Sequence, residues 1–248
     1  MRMIKNFKII IEYNGARYHG WQRQKNDRTV QEEIEKAVLS ITGQQVSLKG
    51  SGRTDAGVHA YAQVANFKCK TELGPQDFLG GLNSLTDKDI VITNCEEVQA
   101  SFHARYDVKS KTYVYKILNR PNPAAIFRQY AWHIRKELNL EAMRAAISHL
   151  IGSHDFKAFE GAGSPRTHTN RRVYKAGLTQ EEDGYLAFEI DADGFLRFMV
   201  RNIVGTLVDV GRGKISPDDF KRILESKDRD QAGATAPAHG LFLKKVSY

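Results

Sequence analysis

Hydrophobic and polar residues alternate over residues 7–13, and a period of two of this kind predicts a half-buried β-strand. Further along, a Thr29-x-x-Glu32 capping box precedes apolar residues spaced three and four apart, which predicts a helix that Gly43 ends. The other elements predicted for the first half are strands at 46–49 and 62–69, a helix at 75–85 and a strand at 90–98. The predicted order is β-α-β-β-α-β.

The second half repeats this order with different residues. The longest apolar stripe of the chain, from Leu196 to Val208 at helical spacing, predicts a helix that Gly211 and Gly213 end. The other predicted elements are a strand at 111–119, a helix capped by Asn139 and closed by Gly152, strands at 172–180 and 185–191 joined by a turn at 182–184, a short helix after Ser216 and a strand at 241–246.

Two consecutive β-α-β-β-α-β patterns predict an α+β protein with two ferredoxin-like halves. In such a fold each half is an antiparallel sheet with its helices on one face. We expect an N-terminal half at residues 1–105 and a C-terminal half at residues 106–248, with the boundary close to residues 104–109.

The composition narrows the class of protein. Of the 248 residues, 37 are Lys or Arg and 29 are Asp or Glu, and the resulting net charge of +8 favours a polyanionic partner. No apolar run is long enough for a membrane span, and the N-terminus lacks the apolar region of a secretory signal, so we expect a cytoplasmic protein. Cys69 and Cys95 lie far apart and the eight histidines show no ligand spacing, which predicts neither a disulfide nor a metal site.

The segment Gly52-Arg53-Thr54-Asp55-Ala56-Gly57-Val58-His59-Ala60 is the most distinctive motif for chemistry. Its glycines allow the backbone to turn and to approach a ligand closely. An arginine two residues from an aspartate can keep the carboxylate ionised. The alternative is an ordinary surface turn with a solvent-exposed salt bridge.

This nine-residue run resembles the catalytic signature of the TruA-type tRNA pseudouridine synthases. Six further segments resemble blocks of that family in the same order and span nearly the whole chain. They are Tyr13-Asn14-Gly15, Tyr18-His19-Gly20-Trp21-Gln22, Phe102-His103-Ala104-Arg105, Lys111-Thr112-Tyr113-Val114-Tyr115, Gly152-Ser153-His154-Asp155-Phe156 and Met199-Val200-Arg201-Asn202-Ile203-Val204-Gly205. The family fold, two ferredoxin-like halves around a central active-site cleft, agrees with the duplication that the periodicity predicts.

The resemblance implies an isomerase that needs no cofactor, because conversion of uridine to pseudouridine involves no net redox change and no lost atom. Asp55 matches the family's catalytic aspartate, and the sequence leaves open whether it acts as a nucleophile or as a base on the ribose. Tyr113 matches the tyrosine that packs against the target base. Without the resemblance, Tyr113 is an ordinary tyrosine of a half-buried strand.

Arg201 completes the expected catalytic set. It lies at the border of the apolar stripe of its helix, with Arg197 one turn earlier, and Gly205 in the same helix predicts close packing against another element. We expect this helix to bring Arg201 close to Asp55, where the guanidinium would lower the pKa of the Asp55 carboxyl. The alternative is that Arg201 flanks the apolar stripe and extends into water. Arg53 is expected to bind the flipped nucleotide or its phosphate.

Two groups of basic residues suit phosphate contacts along an RNA stem, and for any single member a solvated loop is the alternative. One group, around Trp21, is Arg17, Arg23, Lys25 and Arg28, and the other, after the segment 161–165, is Arg166, Arg171, Arg172 and Lys175.

The resemblance implies action on the anticodon stem-loop of tRNA, at positions 38, 39 and 40, by a homodimer with tRNA lying across both subunits. A non-catalytic RNA-binding protein on the same scaffold is the alternative function, although residues 193–198 match the RNP1 pattern of such proteins only faintly. A metal-dependent nuclease is disfavoured because the sequence lacks clustered carboxylates.

Overall fold

The computed structural model describes residues 3–161, 163 and 168–248. The chain divides into two compact units, one of Met1–Lys109 with Leu243–Tyr248 and the other of Ser110–Phe242. The expected domains, residues 1–105 and residues 106–248, stay a prediction.

The first unit has the predicted β-α-β-β-α-β order. Its elements are β1 (Met3–Tyr13), α1 (Val30–Thr42), β2 (Lys49–Gly50), β3 (His59–Thr71), α2 (Pro75–Leu85) and β4 (Ile90–Val98). The strands lie in the order β4-β1-β3-β2, and every pair is antiparallel. This is the strand order of a ferredoxin-like sheet.

Local signals place the helices of the first unit. The Thr29 hydroxyl accepts a hydrogen bond from the Glu32 N–H at 3.4 Å, and Gly43 ends α1 with a φ of 68°. Phe7 of β1 and Phe78 of α2 have ring centroids 4.5 Å apart, and Phe67 of β3 completes the aromatic cluster. The helix α2 therefore packs on the face of the sheet that carries Phe7 and Phe67.

The predicted strand at 46–49 is wrong in position, because β2 contains only Lys49 and Gly50. The backbone of Leu48 is bound by side chains of α1 instead of by a strand. Its N–H donates to Glu35 Oε1 at 2.9 Å, and its carbonyl accepts from Gln31 Nε2 at 3.1 Å. These two contacts satisfy the backbone groups that a longer β2 would have paired.

The second unit also contains the predicted elements, with two additional strands, β6 and β7. Its elements are β5 (Ser110–Asn119), β6 (Trp132–Ile134), α3 (Leu140–Ser148), β7 (Gly152–Asp155), β8 (Asn170–Gln180), β9 (Tyr185–Ala192), α4 (Met199–Gly211) and α5 (Pro217–Ser226). The strands lie in the order β5-β9-β8-β7 with antiparallel pairing, and β6 is parallel to β5. The last strand, β10 (Leu241–Ser247), begins in this unit and ends in the first.

Two helix boundaries in the second unit differ from the prediction. α3 ends at Ser148, and Gly152, with a φ of 107°, starts β7 instead of closing the helix. α4 begins at Met199 and not at Leu196, because Phe198 has a left-handed φ of 60° that no helix can include. Arg197 consequently lies outside the helix, which corrects its expected place one turn before Arg201.

Helices of the second unit also pack closely. A Cβ on Gly211 of α4 would lie 2.7 Å from the Met143 sulfur of α3.

Cys69 and Cys95 are buried and unbridged. Over residues 3–161, 163 and 168–248, no helix combines the length and the apolar character that a membrane span requires.

Candidate active site

Asp55 lies in the turn that leads into β3. Its carbonyl accepts a hydrogen bond from the Val58 N–H at 3.1 Å, and Gly57 between them has a φ of 77°, which favours glycine. The Asp55 side chain is half-buried, whereas Arg53, two residues earlier, is exposed. The turn expected from the Gly-Arg-Thr-Asp-Ala-Gly pattern is therefore present, and it leaves Asp55 partly exposed.

A buried hydrogen bond fixes the residue before Asp55. The hydroxyls of Thr54 and Tyr13 are 2.7 Å apart, and the Thr54 carbonyl accepts from the Trp21 N–H at 3.2 Å. Burial raises the pKa of the Tyr13 hydroxyl, so this group stays protonated and can donate. Thr54 is thus tied through both its side chain and its backbone.

Two glycines of the opening segment allow it to lie directly against the Asp55 turn. A Cβ on Gly15 would be 2.0 Å from the Val58 carbonyl oxygen, and a Cβ on Gly20 would be 2.5 Å from the Thr54 carbonyl oxygen. The Gly15 N–H also donates to His59 Nδ1 at 3.1 Å, so that nitrogen carries no proton. The segments that resemble separate family blocks are therefore neighbours around one turn.

Gln63 holds the start of the same loop. It is fully buried on β3, where its Oε1 accepts from the Ser51 hydroxyl at 2.6 Å and its Nε2 donates to the Gly52 carbonyl at 3.1 Å. Sequence analysis missed Gln63, and it also gave no separate role to Tyr13 or Thr54. The available signal was a polar residue within an otherwise apolar stretch of a predicted strand.

Tyr113 belongs to the second unit. It lies on β5 with 7% of its surface exposed, and its ring meets that of Phe195 edge to face at a centroid distance of 4.9 Å. The next inward tyrosine, Tyr115, is fully buried and donates to the Pro237 carbonyl at 2.8 Å. Both tyrosines therefore have fixed rings, and Tyr113 retains some contact with solvent.

Arg201 is fixed on α4 by its neighbours in the second unit. Its Nε donates to the Ala236 carbonyl at 2.7 Å, and its own carbonyl accepts from the Ala236 N–H at 3.1 Å. A Cβ on Gly205 would be 1.7 Å from the Ala234 carbonyl oxygen, which confirms the close packing predicted for this glycine. The segment before β10 therefore runs along α4 and positions the half-buried Arg201 side chain.

The guanidinium of Arg201 has an aromatic and a phenolic neighbour. Its central carbon lies 5.0 Å from the centroid of the Phe198 ring, and the central carbon of the Arg197 guanidinium lies 4.7 Å from the same centroid. Burial raises the pKa of the Tyr115 hydroxyl, and the positive charge of Arg201 acts in the opposite direction. Arg201 and the tyrosine strand β5 are thus brought together within one unit.

The expected catalytic residues are divided between the units. Asp55 and Arg53 belong to the first unit, and Tyr113 and Arg201 belong to the second. The expectation that Arg201 meets Asp55 stays a prediction.

The basic residues around Trp21 are largely engaged inside the first unit. Arg17 lies 3.1 Å from Asp89, Arg23 lies 3.5 Å from Glu35 and Arg28 lies 3.0 Å from Glu33. Lys25 is exposed, and Trp21 itself is buried. Phosphate contacts by this group stay a prediction, and any such contact by the three arginines competes with a carboxylate.

The second basic group lies on β8 where it is described. Arg172 is exposed, with its guanidinium carbon 5.7 Å from the Tyr174 ring centroid, and Lys175 is also exposed. Arg171 is half-buried and donates to the His168 carbonyl at 3.2 Å. Arg166 and three residues of the preceding segment, Ala162, Ser164 and Pro165, lie outside the described residues.

Two further observations bear on the alternative functions. Residues 193–198, the faint match to an RNP1 strand, connect β9 to α4 and are not part of a strand. Within the described part of the chain, no group of three or more His, Cys, Asp or Glu side chains is placed to hold a metal ion.

Comparison with known proteins identifies relatives of this chain. The tRNA pseudouridine synthase family model matches residues 9–107 and 146–248. The tRNA pseudouridine synthase A of Thermoanaerobacter sp. (strain X514) is 50% identical over 99% of this chain and 100% of its own length. That of Clostridium acetobutylicum is 48% identical over the same shares.

Among solved structures, the archaeal box H/ACA sRNP Nop10–Cbf5 complex matches at a TM-score of 0.37 and 10% identity, over 90% of this chain and 59% of that one. A likeness this distant does not bear on function. The match to the family model covers most of the chain, and the two relatives are about half identical to it over their full lengths, so these two findings do bear on function. The chain belongs to the tRNA pseudouridine synthase family.

Proposed function

We propose that this protein converts uridine to pseudouridine at positions 38, 39 and 40 of the tRNA anticodon stem-loop, as a cytoplasmic homodimer. Family membership supports tRNA as the substrate and isomerisation as the reaction. The three positions and the dimer follow from the resemblance to the TruA-type enzymes. The observation that carries the proposal is the half-buried Asp55 on a turn held by buried hydrogen bonds.

The reaction is balanced without a redox partner. The bond between N1 of uracil and C1′ of ribose breaks, a bond between C5 and C1′ forms, and the proton lost from C5 is matched by one gained at N1. A carboxylate near the sugar can assist either as a nucleophile at C1′ or as a base on a ribose proton. Both roles require Asp55 to be ionised, so the proposal is independent of the choice between them.

The residues of the second unit have proposed roles at the same nucleotide. Arg201 would stabilise the ionised form of Asp55, because a guanidinium close to a carboxylate lowers its pKa. Tyr113 would pack against the target base, and its ring, already held by Phe195, loses little freedom when a base stacks on it. Arg53, exposed beside Asp55, would bind the flipped nucleotide or its phosphate.

The test is the variant Asp55→Asn, which keeps the shape of the side chain and removes its charge. We expect pseudouridine formation in an unmodified tRNA transcript to fall about 100-fold or more, while the Kd for the same transcript changes little. Pseudouridine is mapped by position, so that one measurement reports both turnover and the sites modified. The matched control is Glu72→Gln, which removes the charge of an exposed carboxylate of the same unit.

Three outcomes would contradict parts of the proposal. Substantial turnover by Asp55→Asn would exclude Asp55 as the essential carboxylate. Modification only outside positions 38, 39 and 40 would exclude the anticodon assignment. Binding of the transcript by the wild-type protein with no pseudouridine formed would favour the non-catalytic RNA-binding function.

A further inference from the structure

The segment after β4 carries an exposed aromatic cluster, which we call the Tyr106 platform and which consists of His103, Arg105 and Tyr106. The Tyr106 side chain is 75% exposed, although tyrosine is a residue with a large apolar ring. Its ring lies 4.3 Å from the His103 ring at an interplanar angle of 35°. The Arg105 guanidinium carbon lies 5.8 Å from the Tyr106 ring centroid.

Buried polar side chains hold the base of this segment. Asn6 Nδ2 donates to the carbonyls of Gln99 at 2.9 Å and Phe102 at 3.0 Å. Asn66 Oδ1 accepts from the Ala104 N–H at 2.9 Å, and the Tyr248 hydroxyl donates to the Ala104 carbonyl at 2.7 Å. Asn6, Asn66 and Ala104 are buried, so the backbone that precedes the platform is held in place by buried hydrogen bonds.

Hydrogen bonds within the segment also order the platform itself. The His103 N–H donates to Asp107 Oδ2 at 2.9 Å, and the Arg105 N–H donates to His103 Nδ1 at 3.1 Å. The Tyr106 N–H donates to the His103 carbonyl at 3.1 Å. The backbone that carries the two rings and the guanidinium is therefore ordered before any ligand binds, which lowers the entropy lost on binding.

The chemistry of the platform fits a nucleobase and its phosphate. Exposed aromatic rings and arginine planes are the surfaces on which proteins stack unpaired bases. The Arg105 guanidinium adds positive charge beside the ring, the nearby Asp107 carboxylate accepts from the His103 N–H, and the net charge of the chain is +8. A polyanion is therefore favoured over a neutral or basic protein surface as the occupant.

We propose that the Tyr106 platform is an RNA-binding site, at which an unpaired base stacks on Tyr106 while Arg105 contacts the adjacent phosphate. The identity of the RNA as tRNA rests on the proposed function, whereas the stacking chemistry does not. The platform contains none of Asp55, Tyr113, Arg201 and Arg53, and it adds affinity without taking part in the isomerisation.

The experiment compares variants of the full-length protein for binding to an unmodified tRNA transcript. Tyr106→Ala is expected to raise the Kd about tenfold, within the range of one base stack, whereas Tyr106→Phe, which keeps the ring, stays within about twofold of wild type. Arg105→Ala is expected to reduce the slope of log K against log salt by about one unit. The control is Ile4→Ala, which truncates a side chain of the same unit that is 71% exposed.

Melting temperature and oligomeric state are measured on every variant without RNA. Because Tyr106 is largely exposed, its truncation is expected to leave the melting temperature unchanged. Wild-type affinity in Tyr106→Ala would overturn the proposal. A shift from dimer to monomer in that variant without RNA would also overturn it, because the platform would then be a protein interface.

The same data separate this proposal from the proposed function. If the wild-type protein forms no pseudouridine but Tyr106→Ala still weakens RNA binding, the proposed function fails and the platform stands. If the wild-type protein modifies the anticodon stem-loop and Tyr106→Ala binds equally well, the platform fails alone. With both proposals correct, Tyr106→Ala raises KM and leaves kcat unchanged at saturating tRNA.

Discussion

Asp55 and Arg201 are held in different ways. The Asp55 turn is fixed by hydrogen bonds between buried polar groups, among them Tyr13, Thr54 and Gln63, that come from separate elements of the first unit. Arg201 projects from a helix that is buried along most of its length, and its position follows from the packing of that helix against the segment at Ala234 and Ala236.

This difference has an energetic consequence. Each buried hydrogen bond contributes little net stability, but loss of one partner leaves the other unsatisfied and displaces the turn locally. Helix packing instead involves many small contacts at once, so a steric change there affects the whole unit. Damage to the Asp55 turn should therefore appear mainly in activity, and damage to the packing of α4 mainly in stability.

The largest effect is expected from Gly205→Ala. The new methyl group would meet the backbone of Ala234, which cannot move without separating that segment from α4. We expect the free energy of unfolding in urea to fall by about 3 kcal/mol. The control is Gly80→Ala in α2, where no atom lies within 4 Å and the change should stabilise the helix by about 0.5–1 kcal/mol.

If Gly205→Ala and Gly80→Ala have the same free energy of unfolding, the close packing of α4 against Ala234 does not govern stability.

An intermediate effect on stability with a larger effect on activity is expected from Gly20→Ala. Gly20 has a φ of 89°, and a methyl group there would press on the Thr54 carbonyl, next to Asp55. We expect kcat to fall about tenfold or more, because small displacements of a catalytic group are costly. Gly43→Ala is the matched control, since its φ is 68° and its surroundings are empty.

Gly43→Ala should lose about 1 kcal/mol of stability from backbone strain and keep its activity. A Gly20→Ala protein with normal kcat would show that the contact with Thr54 does not position Asp55.

The smallest effect is expected from Tyr13→Phe, which removes one hydroxyl from a buried pair. The Thr54 hydroxyl loses its partner, so we expect a loss of about 1–2 kcal/mol of stability and a several-fold fall in kcat with little change in KM. Addition of Thr54→Val should recover part of the stability but not the kcat. If the effects of the two substitutions on the free energy of unfolding are strictly additive, the two hydroxyls make no energetic interaction with each other.

Sequence analysis was most successful where the signal is local. The cap at Thr29, the stop at Gly43 and the full extents of α2 and β4 agree with the structure. It failed where distant residues decide the conformation, as in β6 and β7, which are short strands defined by their partners in the sheet. The beginning of α4 was placed too early because the left-handed backbone of Phe198 leaves the apolar periodicity unchanged.

The candidate site shows the same division. The residue types and their spacing predicted the turn at residues 52–60, which the structure contains, whereas the roles of Asp55, Tyr113 and Arg201 came from the resemblance to the family and stay predictions. The support of the turn by Tyr13, His59 and Gln63 came only from the folded structure.

The sequence by itself determined the order of the longer elements and the boundaries of α1 and α2, and its resemblance to a known family supplied the residues proposed to carry the chemistry. These follow from interactions between residues close in the chain, or from motifs that lie within one segment. The tertiary structure alone decided which polar groups are buried together and which glycines lie against a carbonyl. The physical reason is that a hydrogen bond such as that between Tyr13 and Thr54 joins groups that no local pattern relates.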